Sequence, residues 1–204
     1  MGATDATLGI VLVVVVVGLL WGIRIYNNLV RGRNRVGEAW SGIDVQLRRR
    51  ASLVPNLVET VRGYAVHEHG VFEEVARARG ALQQAGGAAA SASANTALSQ
   101  ALGHLFAVAE AYPQLRASES FTSLQRDLGD AEDKIAFARQ FYNRNVLDFN
   151  TRVEVFPGNL VASTLGFSPA EFFETTDDGR AEVKVDLSRA PRERATETPP
   201  PSPT

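Results

Sequence analysis

The 204-residue sequence contains no cysteine, and this absence excludes a disulfide framework, a thiol nucleophile and a thiolate metal site. Lysine is scarce as well, because Lys134 and Lys184 are the only lysines among the 21 basic residues. The formal net charge of -2 gives no general attraction to nucleic acid, so none is expected as a partner and any electrostatic recognition must be local. The length predicts one folded domain with an appendage.

Motifs for common reactions are also missing, since the sequence has no G-x-G-x-x-G, no P-loop and no nucleophile elbow. The histidines His67 and His69 are two apart and diverge by about 200° on a helix, so a metal would need His69, Glu73 and a carboxylate from another helix. The acids that could converge in a bundle core are dispersed: Asp44, Glu59, Glu110 and Glu132. We therefore predict no catalytic residue, cofactor or metal ligand, and no enzyme; a metal-binding bundle enzyme is the weaker alternative.

Charge is absent from residues 6–23, an apolar run of 18 positions. At 1.5 Å per residue, about 20 residues cross a hydrocarbon core of about 30 Å, so we predict a transmembrane helix over residues 6–26 after a short extracytoplasmic stretch, 1–5. A cleaved signal peptide would need a basic start, which this sequence lacks. The residues predicted at the membrane interface are Trp21, Arg24, Tyr26, Arg31, Arg33 and Arg35.

The arginines follow the apolar run and none precedes it, so the positive-inside rule places residues 24–204 in the cytoplasm and the chain in the inner or plasma membrane as a single-pass protein. Trp21 and Tyr26 would form the aromatic belt. We expect Arg24 to Arg35 to bind anionic lipid headgroups.

Beyond the membrane, apolar residues at helical spacing predict four long helices. The first continues from the anchor through Leu29, Val36, Trp40, Ile43 and Leu47 and ends at three arginines. Ser52 as N-cap and Pro55 in the first turn would open the second helix, which continues to about Gln84. Residues 40–61 would thus form the corner of a helical hairpin.

Residues 85–95 are small and uncharged and predict a loop whose alanines can extend the flanking helices, with Asn95 as the N-cap of a third helix that ends at Pro113. After the link PQLRAS comes the clearest period in the chain, which predicts one long helix: Phe121, Leu124, Leu128, Ala131, Ile135, Ala138, Tyr142, Val146, Phe149 and Val153. Asn143 and Asn150 are seven apart on this helix and are predicted to fix its register.

Two short elements are predicted after Pro157 and Gly158. One covers NLVASTLGF, and the other covers SPAEFF, where Ser168 would cap a helix and Glu171 would complete a capping box. Residues 175–204 are charged and proline-rich and predict a disordered tail. Within this tail EVKVDL alternates as a strand does, although no second strand is available to pair with it.

The predicted fold is therefore all-α: a transmembrane helix continues into an antiparallel four-helix bundle over residues 27–174, followed by short C-terminal helices and a disordered tail. Six residues are candidates for binding protein partners: Arg48, Arg49, Arg50, Val183, Val185 and Leu187. The three arginines would either satisfy the end of a helix dipole or mark an anionic partner site. The other three would dock by strand addition to a partner's sheet edge.

The elements IDVQL, LVPNL, EAYP and YN occur in an order that resembles the bacterial LemA proteins, and the resemblance covers about residues 24–174. It implies a membrane anchor followed by an antiparallel bundle of long helices. LemA proteins are not known as enzymes, and a relative acts in magnetosome membranes. The VKVDL segment resembles a V-K-V-D-F-like segment at which family members often end, but this chain continues beyond it.

The composition, the anchor and the bundle together predict a membrane-anchored, non-enzymatic scaffold or adaptor that presents a cytoplasmic helical bundle to protein partners. The alternative from another class is a structural oligomer that organises the membrane through contacts between its helices. The two alternatives differ in whether the bundle crosslinks to another protein or to itself.

Overall fold

The computed structural model describes residues 2–174, and this part of the chain is helical without any strand. Its elements are α1 (Ala3–Arg62), α2 (His69–Gln84), α3 (Ala88–Glu110), α4 (Pro113–Arg116), α5 (Glu119–Glu154) and α6 (Gly158–Leu165). The predicted all-α fold of long helices with a short C-terminal helix is confirmed. The predicted tail, with its VKVDL segment, lies outside the described residues.

The helices α1 and α5 form a long antiparallel pair. Trp40 packs on Tyr142 with ring centroids 5.7 Å apart, and farther along α1 the guanidinium of Arg50 lies 2.8 Å from a carboxylate oxygen of Glu132. Residue numbers rise on one helix as they fall on the other, which defines the antiparallel direction. The apolar stripe predicted for α5 faces this interface, and its buried members are Phe121, Leu128, Ala131, Ile135, Tyr142, Val146, Phe149 and Val153.

The hairpin of α2 and α3 covers the half of the α1–α5 pair that is remote from the apolar segment. Phe72, Val75 and Leu82 bury the inner face of α2, and the inner face of α3 is built largely from alanine and leucine. Four helices surround the core in this half, so a four-helix bundle is present here. The link PQLRAS contains the single turn α4, and it leads from α3 into α5.

The hairpin corner predicted for residues 40–61 does not exist, because α1 continues unbroken through Pro55 to Arg62. Ser52 is not an N-cap; its hydroxyl donates to the carbonyl of Arg49 at 2.7 Å. The chain reverses at residues 63–68 instead. The apolar face of α1 also continues past the predicted break, with Val54 and Leu57 fully buried.

A specific contact explains why Pro55 does not break the helix. Proline has no N–H, so the carbonyl four residues earlier, that of Ala51, loses its helical donor. The Nε–H of Arg79 on α2 donates to this carbonyl at 2.9 Å. A side chain from another helix therefore replaces the missing backbone hydrogen bond, and no local sequence window contains both partners.

Two further boundaries differ from prediction. Helix α3 begins at Ala88 rather than after Asn95, since the small residues of this stretch are good helix formers and Ala88, Ser91 and Ala92 pack into the core. Its start is set by Gly87, whose φ of +83° lies in the left-handed region. The predicted SPAEFF helix capped by Ser168 is wrong: residues 167–174 form no helix, for reasons given below.

Candidate membrane-facing and partner surfaces

The apolar part of α1 is long and apolar enough to cross a membrane, and none of its apolar window is buried against the rest of the chain. The exposed side chains include Leu12, Leu19 and Trp21. The residues predicted at the interface are all exposed and lie on successive turns of one unbroken helix: Trp21, Arg24, Tyr26, Arg31, Arg33 and Arg35. The structure therefore brings the predicted interface residues together at one end of the bundle.

Two of these residues have a partner that the sequence did not predict. The ring of Tyr26 meets the ring of Phe167 edge-on, with centroids 6.0 Å apart, and the guanidinium of Arg33 lies 5.3 Å from the centroid of the same ring. Phe167 follows α6 directly. The contacts therefore join the segment after α6 to the part of α1 nearest the apolar segment.

Residues 167–174, here called the strap, lie along α1 and α5. Asn150 donates to the carbonyl of Ala170 at 2.9 Å and accepts from its N–H at 2.7 Å. Asn143 does the same for Phe173, at 3.3 and 2.9 Å. Each asparagine thus binds both backbone groups of one strap residue.

The spacing of the two asparagines matches that of the strap. Seven residues of helix rise about 10.5 Å, and three residues of extended chain cover about 9–10 Å. Asn143 and Asn150 were predicted to fix the register of a helical seam. Instead they fix the strap, which explains why SPAEFF is extended despite its capping signal.

An aromatic cluster anchors the far end of the strap. Phe173 is buried and its ring lies 6.2 Å from that of Trp40, which also packs on Tyr142. The Tyr142 hydroxyl donates to the carbonyl of Glu171 at 2.8 Å. Burial, with a smaller contribution from the negative charge of Glu171, raises the pKa of Tyr142, so the phenol remains a donor at neutral pH.

Arg50 connects three helices inside the bundle. It is 5% exposed, donates to Asn95 Oδ1 at 2.6 Å and to Ser99 Oγ at 3.0 Å on α3, and pairs with Glu132 on α5. Burial lowers the pKa of Arg50 and Glu132 opposes that shift; an arginine nevertheless stays charged at neutral pH.

The predicted arginine surface is therefore smaller than the sequence indicated. Arg50 faces the core and is not available to an external partner, and the three arginines do not end a helix, because α1 continues for another 12 residues to Arg62. Arg48 and Arg49 are exposed, and Arg48 forms a one-turn ion pair with Asp44 at 2.9 Å. The predicted residues Val183, Val185 and Leu187 lie outside the described part of the chain.

One signal in the sequence could have identified the role of Arg50. Buried residues of α1 recur every seven positions, at Leu29, Val36, Ile43 and Leu57. Arg50 occupies the fourth position of this series, between Ile43 and Leu57. An arginine at a core position of a continuing helix must be paired, whereas an arginine at a helix end need not be.

Titratable side chains do not form a metal site within residues 2–174, where no group of three or more potential ligands converges. His67 and His69 are exposed, and so is Glu73. Asp44 and Glu132 are each paired with an arginine on the bundle itself. His104 lies 3.1 Å from Glu74 on the exposed face of the α2–α3 hairpin.

A family model described as the LemA family matches residues 39–187. The chain belongs to the LemA family. The match begins within α1, after its apolar segment, and ends at the last residue of VKVDL, which supports counting that segment as part of the family region.

Curated relatives of this LemA-family chain include magnetosome protein MamQ 2 of Paramagnetospirillum magneticum, which is 28% identical over 180 residues, covering 76% of this chain and 66% of the relative. Magnetosome protein MamQ of Magnetospirillum gryphiswaldense is 26% identical with the same coverage. Protein LemA of Metamycoplasma hominis is 24% identical over 158 residues, 77% of this chain and 72% of that protein. The chain thus spans 66% of the length of the magnetosome relatives. With the apolar segment of α1, these similarities indicate membrane association.

Proposed function

We propose that this LemA-family chain is a single-pass membrane protein whose bundle acts in the cytoplasm as a non-enzymatic scaffold for protein partners. The exposed apolar segment of α1 supports the membrane span. Arg24, Arg31, Arg33 and Arg35 follow that segment and no basic residue precedes it, which favours an N-terminus outside and a bundle inside.

The observation that carries the proposal is the continuity of α1. One helix of 60 residues contains both the apolar segment and the first helix of the bundle. From Tyr26 to Arg62 it rises about 54 Å, so the far end of the bundle is held well away from the bilayer on a rigid support. A partner bound to the bundle would be kept at a fixed height above the membrane, as a scaffold requires.

A candidate docking surface lies on the side of the α1–α5 pair. Phe137 and Phe141 are one turn apart on α5 and are 74% and 54% exposed, and Val45 on α1 is also exposed. A groove of about 670 Å³ is lined by both phenylalanines, and the charged residues that line it on α5 are Asp130, Asp133 and Lys134. Neighbouring exposed aromatic residues on a folded bundle mark an interaction surface rather than a core.

The chemistry of the buried polar groups supports a binding role rather than catalysis. Arg50 and Tyr142 have perturbed pKa values, and both form hydrogen bonds that hold helices or the strap together, although the buried Nε of Arg50 has no partner among the described residues. Perturbed groups serve catalysis when they line a cleft that a substrate can enter, and these two lie in packed interfaces. The candidate surfaces for partners are therefore the aromatic pair, the exposed Arg48 and Arg49, and the predicted segment 183–187.

The experiment that tests the scaffold proposal is in-cell photocrosslinking from Arg49, Phe137 and Val185, with Gln100 on the exposed face of α3 as the control position. We expect crosslinks to a specific second protein from at least one test position, and none from Gln100. Crosslinks to a second copy of this chain alone would support the other candidate, a membrane-organising oligomer that uses the aromatic pair as its contact. Finding neither product at any test position would contradict both.

A further inference from the structure

The turn after α5 and helix α6 form an uncharged stretch that exposes large apolar side chains. No charged residue occurs from Val155 to Ala170. Phe156, Leu160 and Leu165 are 71%, 59% and 53% exposed, whereas Ala162 on the opposite side of α6 is buried. A water-facing helix of this size would carry polar side chains at such positions.

The location of α6 explains this composition. Leu160, Val161 and Leu165 face Gly18, Gly22 and Tyr26 of α1 across a cavity of about 610 Å³. Gly18 and Gly22 belong to the apolar segment, and Gly18 lies about 12 Å along the helix axis beyond Tyr26. Helix α6 therefore lies beside the part of α1 proposed to be in the membrane, and its exposed apolar residues extend the exposed apolar surface of Leu19 and Ile23.

A basic rim borders the same stretch on the bundle side. Arg31 and Arg35 of α1 and Arg152 of α5 line a cleft of about 560 Å³ that also contains Val155 and Phe156. Guanidinium groups beside exposed apolar side chains suit a lipid, whose phosphate would meet the arginines while its chains meet the apolar residues. Charge and hydrophobicity are thus layered in the order in which a bilayer presents its own groups.

We propose that α6 and the turn before it are a second membrane-inserted element, which enters the acyl-chain layer of the cytoplasmic leaflet beside α1, with Arg31, Arg35 and Arg152 at the phosphate level. The inference rests on the proposed membrane span of α1. The chain would then span the bilayer with α1 and also insert α6 into one leaflet. The bundle is then attached to the bilayer at two points, so it cannot swivel freely about α1.

The absence of cysteine allows a direct test with the full-length chain. Single-cysteine variants Leu160→Cys and Leu165→Cys are labelled with an environment-sensitive nitrobenzoxadiazole dye and reconstituted in phosphatidylcholine–phosphatidylglycerol vesicles. The reference variants are Val15→Cys in the apolar segment and Phe137→Cys on the wall of the bundle. All four positions are exposed, so each variant should keep the helical circular dichroism of the parent.

Quenching by lipids with a nitroxide on the acyl chain reports insertion. For an element buried about 5–10 Å into the leaflet, we expect dyes at positions 160 and 165 to be quenched about threefold more strongly than the dye at 137, approaching the dye at 15. If the dyes at 160 and 165 were quenched no more strongly than the dye at 137 while the dye at 15 was strongly quenched, the inference would be overturned. The proposed membrane span of α1 would still stand. Weak quenching at 15 would overturn the span and the inference with it.

Discussion

Replacing Arg50 with alanine is expected to lower the free energy of unfolding by about 3 kcal/mol, because the change leaves a cavity and removes the hydrogen-bond donor to the side-chain oxygen of a buried asparagine. Asn95 Oδ1 accepts from Arg50 at 2.6 Å and is itself buried. Glu132 is half-exposed and can be solvated by water, so most of the loss comes from the α1–α3 contact rather than from the ion pair. Urea unfolding in detergent micelles, followed by helical circular dichroism, measures the effect.

Substitutions at neighbouring residues distinguish the loss of the Arg50–Asn95 contact from the general effect of removing a positive charge. Arg49→Ala removes an exposed arginine next to it in sequence and should change stability by no more than about 0.5 kcal/mol. In an Arg50→Met background, Asn95→Leu should recover stability, because it removes the unsatisfied amide. Equal losses from Arg49→Ala and Arg50→Ala, or a further loss in the double variant, would contradict the assigned role of Arg50.

Replacing both Asn143 and Asn150 with leucine is expected to release the strap from α5. Four hydrogen bonds to the backbone of Ala170 and Phe173 are lost, and leucine leaves these backbone groups without partners in a part-buried groove. At about 1 kcal/mol of net stability for each bond, the strap should open roughly a thousandfold more readily. Amide hydrogen exchange at Ala170 and Phe173, measured by mass spectrometry of short peptides, reports this opening.

Asn145→Leu provides the matched control for the strap. Its Nδ2 donates to the carbonyl of Phe141 within α5 and does not contact the strap. We expect unchanged exchange at residues 170 and 173 in this variant, and faster exchange in Asn143→Leu/Asn150→Leu with α5 itself still protected. If the double variant kept native protection in the strap, packing of Phe173 on Trp40 would have to hold the strap without the asparagines.

The sequence predicted those features that repeat along one helix. The ten apolar positions of α5 span nine turns, and no other periodicity fits them, so α5 was predicted nearly to its ends. The apolar run at the start of α1 was equally clear. Both signals are local and need no knowledge of what packs against them.

The errors arose where a distant residue overrides a local signal. Ser52 and Pro55 are a sound local indication of a helix start, but Arg79 supplies the hydrogen bond that Pro55 cannot make. Ser168 and Glu171 indicate a capped helix, but Asn143 and Asn150 bind the backbone in an extended form. In each case the deciding partner is 20 or more residues away in the sequence, so propensity within a short window could not find it.

The same contrast between local signals and distant contacts applies to the candidate surfaces. The membrane-interface residues were predicted from their order along the chain, since topology depends on which charges follow an apolar run. Arg50 was assigned to a surface because the run of arginines was read as a helix end, although its place in the seven-residue series of α1 is a core position. The position of the uncharged stretch around α6, beside the apolar segment, emerged only from the fold.

One unbroken helix joins the apolar segment to the bundle. The most direct test of this continuity is a distance between spin labels at Asn27→Cys and Asn56→Cys, two exposed positions on either side of the predicted helix end at Arg50, in the full-length chain in lipid vesicles. The 29-residue separation along a continuous helix predicts a single narrow distribution of label-to-label distances centred at about 44 Å. A chain that turns back after Arg50 would give a distance of about 30 Å. That result would contradict a rigid helix through Pro55.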